Sequence, residues 1–142
     1  MNLTVDSSVI VASLRKQERK HKECKTLLEQ IKNGRHTVYE SGIVLVEVSA
    51  AIRRRTGSKD LAIRAKDDLL KLSFLNFLEL TELRMKRSAE IASRIGVRGM
   101  DAIVIQMAEE TESTLITLDE EMMKAAKEIV MVEEITKILS KG

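Results

Sequence analysis

The chain is expected to fold as a single α/β domain over residues 1–142, with a mostly parallel sheet covered by helices on both faces. Three observations carry that expectation. Short apolar runs of strand type alternate with longer stretches of helical period along the whole sequence, the pattern of βαβ units. Apolar residues make up 44% and charged residues 32%, a balance that can bury a core rather than stay disordered. The length of 142 residues suits one core, and no repeat, linker or low-complexity tract divides it.

The elements follow in order. Leu3–Val5 reads as a short buried strand, ended by the charge of Asp6. The apolar run Val9–Leu14 starts a helix, and Lys20–Lys32 carries a second. Thr37–Tyr39 is the next strand and Ile43–Arg55 the next helix. Gly57 follows "RRRT" as a helix stop, with the arginines suited to the negative end of the helix dipole. Lys59–Leu72 is helical, Leu75–Leu80 a strand and Glu82–Ile95 a helix. Gly96 and Gly99 bracket the break before a helix at Asp101–Glu112. Thr114–Thr117 is a strand, Glu120–Lys127 a helix, Val130–Val132 a fifth strand and Glu133–Leu139 the last helix. With no proline in the chain, glycine and polar clusters punctuate the loops.

Composition excludes several functions. Acids and bases nearly cancel at a net charge of +2, so no global field of the histone kind exists, although a local basic patch remains open. Tyr39, Phe74 and Phe77 are the only aromatics, too few for a base-stacking platform. The single Cys24 cannot form an internal disulfide, which fits a reducing cytoplasm. No apolar run approaches the ~20 residues that cross a membrane. No charged segment precedes a long apolar stretch at the N-terminus, so no signal peptide is expected.

Four acids stand in unusual places. Asp6 ends the first strand, where the crevice of a parallel sheet lies. In "GIVLVEVSAAIRRR", Ile43, Val44, Val48, Ala51 and Ile52 form one apolar stripe, and Glu47 falls inside it. In "GMDAIVIQMAEE", Asp101 shares a face with Val104, Ile105 and Ala108, opposite Gln106, Glu109 and Glu110. Asp119 follows the strand in "STLITLDEEM". Each has an ordinary alternative. Asp6 can cap the helix after it. Glu47 can form a buried ion pair or reach out from the edge of the stripe. Asp101 suits the positive end of a helix dipole. "TLDE" matches a capping box with Thr117 as the cap and Glu120 three residues on. As a set, however, carboxylates converging on one crevice repel by several kcal/mol. Hard divalent cations relieve that repulsion and can activate water against a phosphodiester.

The blocks "VDSSVIVA", "VLVEVSAAIRRR", "RGMDAIVIQMAEE" and "LITLDEEM" resemble the motifs of PIN-domain ribonucleases, especially VapC-type toxins of toxin–antitoxin systems. The resemblance spans nearly the whole chain in order and spacing. It implies a PIN-like α/β/α sandwich and a Mg²⁺- or Mn²⁺-dependent endoribonuclease acting on RNA. It places catalytic roles on Asp6, Glu47, Asp101 and Asp119, with Asp6, Asp101 and Asp119 as metal ligands and Ser7 and Thr117 in support. It also implies a homodimer and a small antitoxin protein as partner. "YESGI" lacks the proline that often precedes the second acid, so the entry to that helix is expected to differ.

Other signals point to weaker alternatives. Arg53, Arg54 and Arg55 can bind RNA phosphates or form a solvated helix end. Arg15, Lys16, Arg19 and Lys20 read mainly as a solvated face, with phosphate binding as the alternative. His21 and Cys24 sit three apart, but the remaining His36 leaves a zinc site short of ligands. The methionines at 85, 100, 107, 122 and 123 suit core and interface packing. A phosphoaspartate enzyme would place a second acid two residues after Asp6, where Ser8 stands. An RNA-processing nuclease without an antitoxin and a non-catalytic partner-binding module remain the competing functions.

Overall fold

Leu3, Thr4 and Val5 are buried because their strand has a neighbour on each side. In the computed structural model, which describes residues 1–141, β1 (Asn2–Val5) lies between β2 (Thr37–Ser41) and β4 (Thr114–Ile116). Strand β3 (Leu75–Leu78) completes the sheet beyond β2, and every pairing is parallel. The sheet order β3-β2-β1-β4 needs a helical crossover between strands, which the long helical stretches supply. Helices cover both faces, so the α/β/α sandwich expected from the sequence is the observed architecture.

Helix α1 (Ser7–Leu14) leaves β1 with no loop beyond Asp6 and buries Val9, Ile10, Val11 and Ala12. Its start at Ser7 precedes the expected Val9. Helix α2 (His21–Lys32) begins one residue later than expected, because Lys20 takes a left-handed backbone at φ 65°. Helix α3 (Gly42–Thr56) follows β2 directly, capped by Ser41 Oγ accepting from the Ile43 N–H. Gly57 ends α3 at φ 70°, in the left-handed region that glycine tolerates best, which is the stop expected of it. Helix α4 (Lys59–Leu70) and helix α5 (Glu82–Ile95) are capped by the hydroxyls of Ser58 and Thr81.

Helix α6 (Gly99–Glu110) corrects the two-faced pattern expected of it. Ala102, Val104, Ile105, Gln106, Met107 and Ala108 are all buried, because α6 packs on β1, β2 and β4 and also on α5. Gln106 is thus buried with the apolar residues, its amide donating to Glu110 Oε1 at 3.0 Å. Helix α7 (Glu120–Ala126) and helix α8 (Ile135–Ser140) close the chain. The expected fifth strand at Val130–Val132 is only a single parallel bridge, Leu115 to Val132. Leu115 N–H donates to Met131 O at 2.9 Å and Glu133 N–H donates to Leu115 O at 3.2 Å, and the chain then turns into α8. No helix is long and apolar enough to cross a membrane among the described residues.

Candidate active site at the carboxyl edge of the sheet

Parallel strands all point their carboxyl ends at the same edge, so whatever follows each strand is gathered there. Asp6 follows β1, Asp119 lies three residues beyond β4, Glu47 sits in the second turn of α3 after β2, and Asp101 opens α6. All four line one open cavity of about 520 Å³, together with Ser7, Ser8, Arg54, Arg55, Arg98 and Met100. The four acids selected from sequence therefore meet, and so do Arg54 and Arg55. Arg53 does not line the cavity, one residue being enough to turn it to another side of α3.

The alternatives for each acid can now be decided. Asp6 occupies the cap position of α1 but accepts no capping bond with its side chain. Its Oδ2 instead accepts from Ser8 Oγ at 2.7 Å and Thr117 Oγ1 at 3.0 Å. Two hydroxyls thus orient a buried carboxylate on the cavity wall. The Ser7 hydroxyl favours the charged form of the Glu47 carboxylate. Glu47 is half-buried on the cavity wall rather than inside the core, which corrects the buried position inferred from its stripe.

Asp119 is itself the cap of α7, so the capping box centred on Thr117 is not formed. Asp119 Oδ1 accepts from Glu121 N–H at 3.0 Å and Met122 N–H at 3.1 Å, while Thr117 Oγ1 accepts from the Asp119 N–H. Its second oxygen, Oδ2, faces Arg98. That guanidinium donates from Nη2 to Asp119 at 3.1 Å and from Nε to Asp101 Oδ2 at 3.2 Å. Nothing in the sequence pattern singles out Arg98. Its side chain is 77% exposed, so it bridges the two carboxylates from the solvent side and is free to swing away.

The electrostatics record crowding. Burial, then the charges of Asp6 and Asp101, push the Glu47 carboxyl above its ordinary range, against the pull of Arg98 and the Ser7 hydroxyl. Burial raises Asp101 as well; Arg98 opposes this, and Asp6 and Asp119 add to it. Beneath them lies a fifth acid that the sequence reading missed. Glu40, on β2, is fully buried, and its Oε1 accepts from the Val5 N–H at 2.6 Å. Its Oε2 has no hydrogen-bond partner among the described residues. Burial holds this carboxyl far above the ordinary range, and Asp6 and Glu47 push the same way. The β1–β2 register runs through Leu3 and Val38. Beyond it, Glu40 and the Thr4 hydroxyl, which donates to Tyr39 O at 2.8 Å, tie the two strands together with side chains. One signal could have found it: Glu40 alternates with buried Val38 on one face of its strand, a carboxylate where apolar residues belong.

Oxygen donors alone suit a hard divalent cation rather than zinc or copper. Crowded carboxylates whose protonation is favoured by one another fit such an ion. Among the described residues no three His, Cys, Asp or Glu side chains are drawn close enough to enclose one, and Arg98 stands between Asp101 and Asp119. The His21–Cys24 pair forms no site either: Cys24 is buried, and His21 Nδ1 bonds Ala12 O at 2.7 Å.

The model of the PIN domain family matches residues 3–128. The chain belongs to the PIN domain family. Solved PIN structures superpose on it along most of their length. The Sarcin-Ricin loop cleaving toxin VapC20 of Mycobacterium tuberculosis is 19% identical, with a TM-score of 0.74 over 88% of this chain and 95% of that one. FitAcB from Neisseria gonorrhoeae is 22% identical, with a TM-score of 0.71 over 96% and 99%. A toxin–antitoxin complex from Klebsiella pneumoniae is 21% identical, with a TM-score of 0.58 over 84% and 87%. These likenesses establish the PIN fold. No significant match joins the chain to a curated protein sequence.

Proposed function

We propose that this PIN domain is a metal-dependent endoribonuclease and the toxin of a toxin–antitoxin pair, acting in the cytoplasm. The observation that carries the reading is the convergence of Asp6, Glu47, Asp101 and Asp119, from four separate elements, on one solvent-open cavity. An idle cluster of this kind costs stability, because burial and the neighbouring acids raise the proton affinity of Glu47 and Asp101, with only Arg98 and the Ser7 hydroxyl opposing.

Asp6, Asp101 and Asp119 would hold Mg²⁺ or Mn²⁺, which when bound supplies a polarised phosphoryl oxygen and an activated water. The chain's own residues prepare the rest. Ser8 and Thr117 fix the Asp6 carboxylate, and the α7 backbone fixes Asp119 through its other oxygen. Glu47, with its raised proton affinity, accepts the proton of the attacking water. Arg54 and Arg55 on the same wall meet the phosphates of an RNA strand. Release of Arg98 opens Asp101 and Asp119.

The test is cleavage of single-stranded RNA by the purified chain in Mg²⁺ or Mn²⁺. EDTA abolishes it, and so does Asp6→Asn. Cleavage that persists through both overturns the reading. The resemblance to VapC-type toxins and the kinship with structures that include a toxin–antitoxin complex support a small antitoxin partner and a homodimer. The antitoxin partner is expected to offer an arginine to the acids, since a bidentate guanidinium matches carboxylates. Sedimentation of a monomer at tens of micromolar removes the dimer. Robust cleavage with no effect on growth when the chain is expressed alone would favour an RNA-processing nuclease. Metal binding without cleavage would favour a partner-binding module.

A further inference from the structure

We propose that a basic cavity beside the carboxylate site, built by Arg19, Lys124 and Lys127 with Lys20, binds backbone phosphates of the same RNA strand. The inference rests on the ribonuclease reading and extends it to the path of the substrate.

The cavity is open and measures about 450 Å³. Its cations come from segments a hundred residues apart in sequence, the loop before α2 and the carboxyl end of α7. Arg19 and Lys20 belong to the basic run that reads in sequence mainly as a solvated face, with phosphate binding as its alternative; the fold sets them against Lys124 and Lys127. Glu120 and Glu134 also line the cavity, so four cations face two carboxylates and the balance favours an anion. Lys20 is shared with Glu23 at 3.5 Å. Lys124 and Lys127 are exposed and have no side-chain partner among the described residues.

The wall between this cavity and the acids is a single stretch of chain. Thr117 and Leu118 line the basic cavity, and Asp119 lines the acidic one. Arg19 Nη2 donates to Leu118 O at 3.3 Å, while Leu118 N–H donates to Ser8 Oγ, the hydroxyl that holds Asp6. The two cavities are therefore mechanically tied. The need is electrostatic. A polyanion approaching four carboxylates is repelled, and of the arginines on the wall of the acidic cavity Arg98 is engaged by Asp101 and Asp119 and Arg55 by Glu18. Cations beyond Asp119 give the strand a second hold. With three aromatics in the chain, that hold is on phosphates rather than on stacked bases, and it is indifferent to base identity.

The experiment measures binding of a labelled single-stranded RNA of roughly 12 nucleotides by fluorescence anisotropy, in EDTA and across a salt series. Lys124→Ala/Lys127→Ala and Arg19→Ala are each expected to weaken binding about tenfold at low salt and to flatten the salt dependence by roughly 0.7 for each phosphate no longer held. Lys124→Arg/Lys127→Arg restores the affinity, which separates charge from folding. Lys71→Glu, at the opposite edge of the sheet before β3, leaves it unchanged. Alanine variants that bind RNA with wild-type affinity and salt dependence overturn the proposal. So do variants that bind RNA normally but lose an acidic protein partner. The ribonuclease reading is judged separately, by wild-type cleavage in Mg²⁺ or Mn²⁺. If the wild type cleaves and the alanine variants bind normally, only the cavity fails. If it does not cleave but binding depends on these lysines, only the nuclease fails.

Discussion

Helix α6 places acids at both of its ends, and the two ends treat them oppositely. At the amino end Asp101 is pushed above the ordinary carboxylate range by burial and by its acidic neighbours. At the carboxyl end Glu109 and Glu110 are held below it, chiefly by hydrogen bonds from Arg87 and Arg84. The helix dipole predicts the reverse, since it favours an anion at the amino end and penalises one at the carboxyl end. Partners outweigh the dipole. Arg87 grips Glu109 with two prongs, Nε at 2.8 Å and Nη2 at 2.6 Å, and Arg84 holds Glu110 in a similar way. Asp101 has only the edge of an exposed Arg98, shared with Asp119. One end joins α5 to α6. The other leaves charge incompletely answered.

The largest expected contrast is in activity. Asp101→Asn should lower RNA cleavage in Mg²⁺ by about 100-fold or more, the scale set by removing one essential electrostatic interaction. Glu109→Gln, at the far end of the same helix, should leave initial rates within about twofold. Equal losses in the two variants would mean that the ends of α6 do not differ in role.

Metal response comes next. At ten times its Kd, Mg²⁺ should stabilise the wild type by about 1.4 kcal/mol, a few degrees in Tm for a domain of this length. In EDTA, Asp101→Asn should start higher than the wild type, because it removes an acid whose charged form the fold disfavours, and it should then gain less from Mg²⁺. Thermal melts of the two proteins with and without Mg²⁺ decide this. An unchanged Mg²⁺ response in Asp101→Asn breaks the cluster into unrelated acids.

Smaller still is the structural pair. Glu109→Gln should cost about 0.5 kcal/mol, since the bridge is two-pronged but about a third exposed on each side. A denaturant titration detects such a change, and a midpoint equal to wild type would show that the bridge adds nothing to stability.

The smallest effect is the pH profile of the metal-free protein. Glu40, Glu47 and Asp101 bind protons more readily in the fold than when unfolded. Their penalty is present at neutral pH and is relieved as the pH falls towards the ordinary values of 4.5 and 3.8. Glu109 and Glu110 have the opposite sign: their contribution is present above the ordinary value of 4.5 and lost as the pH falls through their lower folded values. Tm in EDTA should therefore rise slightly from pH 7 to about 5 and fall on stronger acidification. In Glu47→Gln the rise shrinks and the fall remains. A wild-type profile that only falls from neutrality would show that the cleft acids carry no penalty.

Much of this fold is legible in the sequence because its signals are local. The alternation of short and long apolar runs sets out the order of strands and helices, and Gly57 ends α3 where expected. Asp6, Glu47, Asp101 and Asp119 stand out because each breaks a local pattern. Features that depend on distant partners do not stand out. Val130–Val132 has the composition of a strand but offers one bridge, since the chain turns into α8 just after Glu133. Gln106 looks like surface until a sheet and two helices are placed around α6. Glu40 is easily passed over in "TVYES", because so short a stretch gives no hint that the opposing ladder stops at Val38 and needs its side chain.

By itself the sequence determined which residues carry charge, where the backbone changes period and, to within about two residues, where helices begin and end. Those properties follow from side-chain chemistry within a few residues of each position. Only the tertiary structure decided which charges are answered. Arg87 reaches Glu109 across 22 residues and neutralises it, whereas Arg98 divides itself between Asp101 and Asp119, 21 residues beyond it. Whether a carboxylate becomes a strut or a ligand depends on burial and on the distance to the nearest cation, and both are set by how the elements pack.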